Sequence, residues 1–553
     1  MNKIMKHGLL ILATGAFVVS CADYNETSDF TAQPDPTYTE AYTDLDPVKS
    51  YINRDKYPNM SLGAMLKVAD FNKQELAHAA AITNFNNVTF GSTLMSGAIV
   101  SENGIMNFLS MMDLLNHVEE INGEVYGSPI VANANQADAW LTHLTAPIEI
   151  AVDFIEGKTI NFNEMPVGAY DASLIGKGKA SIVKYDDQNV LQINTSSNVK
   201  IVAGFDVSPK DKYTCTFWAR SDKDIEYNIT FSGNKVNGDG ADGKWTLKAG
   251  RWTKVVVEAQ SAEGETEGYL QIENLRKAAI YVQKVQVGYY PDNHRPQTAQ
   301  EINDTIHYAL NAWCDGLMKY NEGRIKSFDL IDEPIDTKSA DVVAGIYDIK
   351  HGTADQIFWQ DIFGSEDYAP VVSKVASEAY EKYGGDPAAL KFFISETGLE
   401  DQKTFESLKH WISVWEQKGA KIDGINAKLN LTYSEDATTQ AATDAALNTL
   451  LDNLAATGKL IRLSNFDIKY KDADGNAVTA AAITDAQRQK LADYYGTVLK
   501  TYMTKIPNEK QAGICKANMV DTNDPVGLWS LNDTKDWVRN ATYKAFCDAL
   551  SGK

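Results

Sequence analysis

Hydrophobic and polar positions follow two rhythms along this chain. From about residue 46 to 144, and again from about 296 to 550, short apolar runs alternate with longer stretches of helical period. The runs at 61–66, 87–92, 124–129, 327–332, 391–396, 422–429, 460–468 and 513–520 read as strands. Helical period fills 70–81, 108–121, 299–320, 405–419, 438–457, 485–503 and 537–550. Strand and helix in regular alternation argue for parallel βα units. Eight such units predict an α/β fold, a TIM (β/α)8 barrel, whose functional residues gather at the C-terminal ends of the strands.

Between about 150 and 290 the helical period disappears. Short alternating runs at 180–184, 190–195, 213–219, 227–231, 252–258, 269–273 and 279–287 are punctuated by Gly, Asn and Asp. This pattern predicts an inserted antiparallel β-sandwich of jelly-roll type. The barrel is accordingly expected over 47–149 and 293–553, with the sandwich over 150–292.

The first residues belong to neither. Lys3 and Lys6 precede a short apolar run, 8–19, that is too short to span a bilayer. It ends in Val18-Val19-Ser20-Cys21, which resembles a bacterial lipobox, so 1–20 reads as a lipoprotein signal peptide and Cys21 as the lipidated residue. Residues 21–46, rich in Asp, Glu, Thr and Pro, read as a flexible tether. The acidic start of that tether resembles export signals of lipoproteins at the Gram-negative outer-membrane surface. The expected location is therefore the outer membrane, lipid-anchored and facing outward.

At 553 residues the chain is expected to hold more than one domain. Its net charge of −22 disfavours nucleic acid and anionic lipid as partners and suits a neutral ligand such as an uncharged polysaccharide. Cys215, Cys314, Cys515 and Cys547 have no metal-type spacing; buried free thiols are expected, although Cys515 and Cys547 could meet. The histidines are scattered without ligand spacing, so no cofactor and no metal are expected. The acidic loop 239–242 allows a structural calcium, with a solvated turn the preferred reading.

Two of the strand-like runs carry the candidate chemistry. Phe328-Asp329-Leu330-Ile331-Asp332-Glu333-Pro334 and Ile461-Arg462-Leu463-Ser464-Asn465-Phe466-Asp467-Ile468 resemble the two catalytic strands of glycoside hydrolase family 10, the xylanases. The resemblance places Glu333 at the acid/base position and Asn465 where the family carries its nucleophilic Glu. A retaining glycosidase needs two carboxyl groups about 5–5.5 Å apart, and a neutral amide cannot attack an anomeric carbon. Other positions matched to the family have changed as well. Thr89-Phe90-Gly91-Ser92-Thr93-Leu94-Met95 lacks the family's Glu, Asn and Lys, and Gly127-Ser128-Pro129-Ile130-Val131-Ala132-Asn133 lacks its two His and Trp. Asp332, Glu396, Lys428, Asn430 and Ala517 replace further polar or aromatic groups, while Trp140 is retained. Glu333 is read as a leftover carboxylate, either an acceptor for sugar hydroxyls or a solvated charge, in preference to a general acid. An inverting pair of Glu333 with Asp467 ranks below that.

Tyr213-Thr214-Cys215-Thr216-Phe217-Trp218-Ala219-Arg220 and Gly250-Arg251-Trp252-Thr253-Lys254-Val255-Val256-Val257 resemble carbohydrate-binding modules of the family 4, 9 and 22 type. Trp218 is expected in the sandwich core, whereas Trp245 and Trp252 are candidates for stacking on sugar rings. In the barrel, Tyr126, Asn133, Trp140, Asp332, Glu396, Lys428, Asn430 and Trp529 are the candidate carbohydrate-binding residues. The resemblance implies a non-catalytic, surface-anchored lipoprotein that captures xylan or a related β-glycan, a partner of an outer-membrane transporter in polysaccharide utilisation. The alternatives are an endo-1,4-β-xylanase using Glu333 with another carboxylate, and an assembly protein that binds no sugar.

Overall fold

A computed structural model describes residues 42–552 except 121–122, 171–178, 210, 276, 354–355 and 533. Cys21, the expected signal peptide and most of the expected tether lie outside the described residues. The end of that tether is bound: Arg539 Nη1 donates to the carbonyls of Tyr42 (3.3 Å) and Leu45 (2.5 Å). The chain folds into two compact units, one of residues up to Thr145 and from Thr298 onward, the other of Ala146–Gln297.

The first unit is a closed parallel barrel. Its strands are β1 (Ser61–Met65), β2 (Asn87–Thr89), β3 (Glu124–Gly127), β4 (Ser327–Asp332), β5 (Lys391–Thr397), β6 (Gly424–Lys428), β7 (Leu460–Ser464) and β8 (Gln511–Lys516). Each pairs in parallel with the next, and the ring closes where Leu62 of β1 registers with Ile514 of β8. Helices α1 (Leu76–Asn84), α2 (Leu109–Glu120), α3 (Ala299–Asn321), α4 (Tyr368–Lys382), α5 (Gln402–Gln417), α6 (Ala437–Ala456), α7 (Asp485–Lys505) and α8 (Ala541–Leu550) follow the strands in turn. Gly127 has a packing reason: a Cβ there would overlap the Phe328 ring on the neighbouring strand.

Local chemistry sets the helix ends. A capping box joins Thr298 and Glu301 at the start of α3, and Thr484 and Gln487 form another at α7. The helices lock onto the strands and the loops that leave them through buried aromatic residues. Trp313 of α3 donates its indole N–H to the Ile130 carbonyl (2.8 Å), and Tyr502 of α7 donates to the Ile461 carbonyl (2.8 Å).

Several expected elements are cut short, three of them by a local turn or cap. The apolar run 460–468 does not form one strand: β7 stops at Ser464, and Asn465 turns the chain at φ +50°. Ile468–Lys471 then pairs with Leu431–Ser434 instead. Asn adopts the left-handed region more readily than other side chains, so an unbroken apolar pattern concealed this turn. The helical period 70–81 is interrupted at Gln74 (φ +54°), and α8 starts only at Ala541 because Asn540 caps it. α4 escaped the sequence reading because Pro370 interrupts its pattern. The proline lies in the first turn, where a missing N–H is tolerated.

The second unit consists of two antiparallel sheets over one apolar cluster that includes Val199, Phe217, Tyr227, Ile229, Val285 and Val287. Lys212–Arg220 lies between Thr253–Ala259 and Ile280–Tyr290, while Glu267–Asn274 lies between Asn198–Asp206 and Ile225–Phe231. Its two ends meet as a short antiparallel pair, Ile148–Glu149 with His294–Arg295. Trp218 corrects an expectation. Cys215, Phe217 and Ala219 point inward, so period-two alternation turns Trp218 outward, and it is 43% exposed. The four cysteines 215, 314, 515 and 547 are free and buried. Among the described residues no helix is long and apolar enough to cross a membrane.

Replacing Thr298 with Ala removes a capping box from α3, the longest helix among the described residues. The expected cost is about 1 kcal/mol, read as a lowered midpoint in chemical unfolding, with Thr298→Ser close to wild type.

Candidate functional site

Parallel closure brings the C-terminal ends of β4, β5, β6 and β7 to one rim. Asp332 ends β4 and Glu333 follows it in the left-handed region, φ +45°, a conformation costing about 1–3 kcal/mol for such a residue. It is held there by the hydrogen bond from its own N–H to the Ser395 carbonyl (2.8 Å). Lys428, at the end of β6, donates to Asp332 and to Glu333 Oε1 (3.0 Å). Lys350, from the loop after β4, lies 3.7 Å from Glu333 Oε2. Ser395 Oγ donates to Asp332 Oδ1 (2.6 Å). Burial works against a charge on Lys428, but the carboxylates of Asp332 and Glu333 outweigh it and hold the ammonium above its ordinary value. Both oxygens of Glu333 therefore face lysine ammonium groups.

Glu396, on β5, is 2% exposed and accepts from the backbone N–H groups of Ile335 and Thr397 (2.9 Å each). Burial pushes its carboxyl up to about 7, against the pull of those two hydrogen bonds. At the end of β7, Asn465 is exposed, as is Asn430 just beyond β6. Asp467, two residues further, is bound by the fully buried Lys516 and by Asn518 Nδ2 (2.6 Å). Burial lowers Lys516 despite Asp467 beside it.

Deeper in the barrel lies a second polar layer. Tyr126 donates to Asp329 Oδ1 (2.7 Å), Asn426 Nδ2 reaches both Asp329 oxygens, and the Arg462 guanidinium lies 3.8 Å from the Tyr126 ring centre. Burial, with Asp332 adding to it, pushes Asp329 up to about 6 against the Tyr126 hydrogen bond. The sequence reading missed this layer, although Asp329 and Arg462 inside strongly apolar runs were its signal.

Several expected ligand contacts are corrected. Tyr126 is 4% exposed and points at Asp329, so it cannot line a groove. Trp529 is 1% exposed against Trp537 and Tyr543, and Trp140 is 5% exposed with its indole edge against Gly104. Neither offers a ring face to a sugar. Asp332 and Lys428 are tied to each other. Asn133 follows a short strand, Val131–Ala132, paired with the end of β4, and accepts from Gln360 Nε2 (2.8 Å).

In the second unit, Trp245 is half-buried, donating its indole N–H to the Val236 carbonyl (3.0 Å) while its ring packs on the core. Trp252 is half-buried beside Tyr185, with ring centres 6.1 Å apart. Tyr185 also meets Tyr281 (4.4 Å) and the Arg220 guanidinium (5.2 Å). Arg220 and Trp218 share the outward side of one strand. Asp242 pairs loosely with Lys244 (3.9 Å). Among the described residues no group of three or more His, Cys, Asp or Glu is placed to hold a metal ion.

Comparison with known proteins agrees with the barrel. The model of Glycosyl hydrolase family 10 matches residues 290–548. An endo-1,4-beta-xylanase of Penicillium canescens shares 12% identity at a TM-score of 0.50, over 92% of this chain and 98% of that one. Xylanase B from Clostridium stercorarium F9 shares 10% at 0.51, over 91% and 100%. An endoxylanase of the same family from a sugarcane soil metagenome shares 9% at 0.51, over 92% and 100%. At these identities the likeness is one of fold. No curated protein matches the sequence.

The fold holds a proton on Glu396 more tightly than an unfolded chain, where a Glu titrates at about 4.3. Its stabilising contribution is thus complete below that value and is lost as the pH rises through about 7. Glu396→Gln is expected to gain on wild type by on the order of 1–3 kcal/mol between pH 5 and pH 8. Urea unfolding at both pH values checks it; a wild-type-to-variant difference that ignores pH would remove the claim.

Proposed function

We propose that this chain is a non-catalytic glycan-binding lipoprotein that captures xylan or a related β-glycan at the outer-membrane surface, for delivery to a transporter. The observation that carries it is the pair at the ends of β4 and β7. Glu333 is engaged by two lysines, and an exposed amide, Asn465, occupies the position where the family resemblance expects the attacking carboxylate. The other acidic groups of the rim are also committed: Asp332 to Lys428, Asp467 to Lys516, and Glu396 to two backbone N–H groups. Matched charges and exposed amides have hydrogen bonds to offer a neutral polysaccharide, and none of these four rim carboxylates is left without a partner, free to attack it.

The matched residues 290–548 and the xylanase folds support a groove of family-10 type. The second unit adds a candidate carbohydrate-binding module. Its outward side carries Trp218 and Arg220 on one strand, and Tyr185 gathers Arg220, Tyr281 and Trp252 around it; the exposed Trp218 is better placed for stacking than the half-buried Trp245. Two binding surfaces on one chain raise avidity through effective concentration. The lipid anchor at Cys21 and the tether would keep both at the membrane.

One observation favours a second reading, an active endo-1,4-β-xylanase. The carboxyl of Glu396 is pushed up to about 7, in the range of a general acid. Glu333→Gln separates the two readings, since it abolishes hydrolysis in an enzyme and leaves reducing-sugar release at background in a binder.

The purified protein is expected to be retarded in native gels containing xylan and to release no reducing sugar from it over a day. Sustained hydrolysis by wild type that is lost in Glu333→Gln would overturn the capture reading. Trp218→Ala is expected to weaken retardation without altering the thermal midpoint.

A further inference from the structure

A cavity of about 360 Å³ opens at the barrel mouth, between the end of β5 and the loop that follows β4. Glu396 forms part of its wall, and Lys350, which also lies on it, reaches Glu333 at 3.7 Å. The cavity therefore adjoins the rim where a main chain would lie. Its volume is at the small end of the roughly 300–1,000 Å³ range of ligand pockets, enough for one or two sugar rings rather than a length of polymer.

The charges on the wall are balanced and mostly paired. Lys350 has Glu333, and His351 is clamped by Asp361 (2.5 Å) and Asp348 (3.5 Å). Asp336 accepts the backbone N–H of Lys338 (3.0 Å), and Glu396 accepts two backbone N–H groups. An incoming carboxylate would meet Asp336 and Glu396 as well as Lys338 and would upset this balance. A neutral polyol would not, because each hydroxyl can donate to Asp336 and accept from Lys338 or Lys350. Phe358 supplies an apolar wall for the carbon face of a ring.

We propose that this cavity is a side-branch subsite, taking a single uncharged sugar ring carried as a substituent on the β-glycan main chain. The proposal rests on the capture reading and narrows it, because it makes the preferred ligand a decorated chain rather than a bare one.

Calorimetric titration of the purified protein with three oligosaccharides tests it. All three share a β-1,4-xylose main chain; one is unsubstituted, one carries single neutral pentose branches and one carries single uronic-acid branches. The neutral-branched ligand is expected to bind about fivefold tighter than the unsubstituted one, the weight of one or two added hydrogen bonds. The uronic-acid branch is expected to add nothing. Thr337→Trp, at an exposed loop position on the cavity wall, should crowd the cavity, erase the gain and leave binding of the unsubstituted chain as it was. Equal affinity for branched and bare chains, a preference for the uronic-acid branch, or a gain that survives Thr337→Trp would overturn the subsite while leaving capture intact. No binding of any of the three would overturn the capture reading, and the subsite with it.

Discussion

A parallel sheet with open edges leaves two rows of backbone donors and acceptors unpaired, and here the pairing of β8 with β1 removes them. That closure is the constraint on which the rest of the first unit depends. It fixes all strands in one direction, so their C-terminal ends share a rim, and residues far apart in the sequence become neighbours. Asp332, Ser395, Lys428 and Asn465 are separated by dozens of residues along the chain, yet each lies at or near the C-terminal end of one of four consecutive strands.

The rim and the layer below it are a problem in charge compensation. Carboxylates and ammonium groups inside a barrel lose hydration, and an unmatched one is costly. The chain answers with pairs: Lys428 with Asp332 and Glu333, Lys516 with Asp467, and Asn426 and Tyr126 on Asp329. Pairs of this kind contribute little net stability, but removing one partner typically costs about 3–5 kcal/mol. They therefore fix the positions of side chains more than they strengthen the fold. The strained backbone of Glu333 is held inside that network. The same matching leaves the mouth suited to hydroxyl groups, which bring no charge of their own.

The second unit solves a simpler problem. Its strands have one wet face and one dry one, so alternation alone sorts its side chains. Phe217 and Trp218 are neighbours in sequence with opposite fates, one in the core and one in solvent. Aromatic residues left on the wet face, such as Trp218, need another use for their apolar area, and sugar rings are ligands with matching faces.

Sequence by itself determined the eight strands, seven of the eight helices that follow them and the all-antiparallel character of the middle region, because these follow from local periodicity; only α4, with Pro370 in its first turn, was hidden. It also located Glu333 just past a strand end, since that apolar run stops there, whereas the turn at Asn465 lay hidden inside an unbroken run. Tertiary structure alone decided which side chains remain free. Tyr126, Trp140 and Trp529 stand at positions compatible with a groove, but packing against Asp329, Gly104 and Tyr543 buries them. Lys428 looks like a ligand contact in the sequence and becomes a clamp on two carboxylates in the fold. The physical reason is that exposure and pairing are set by residues distant along the chain. A local pattern records which way a residue points but not what it meets there.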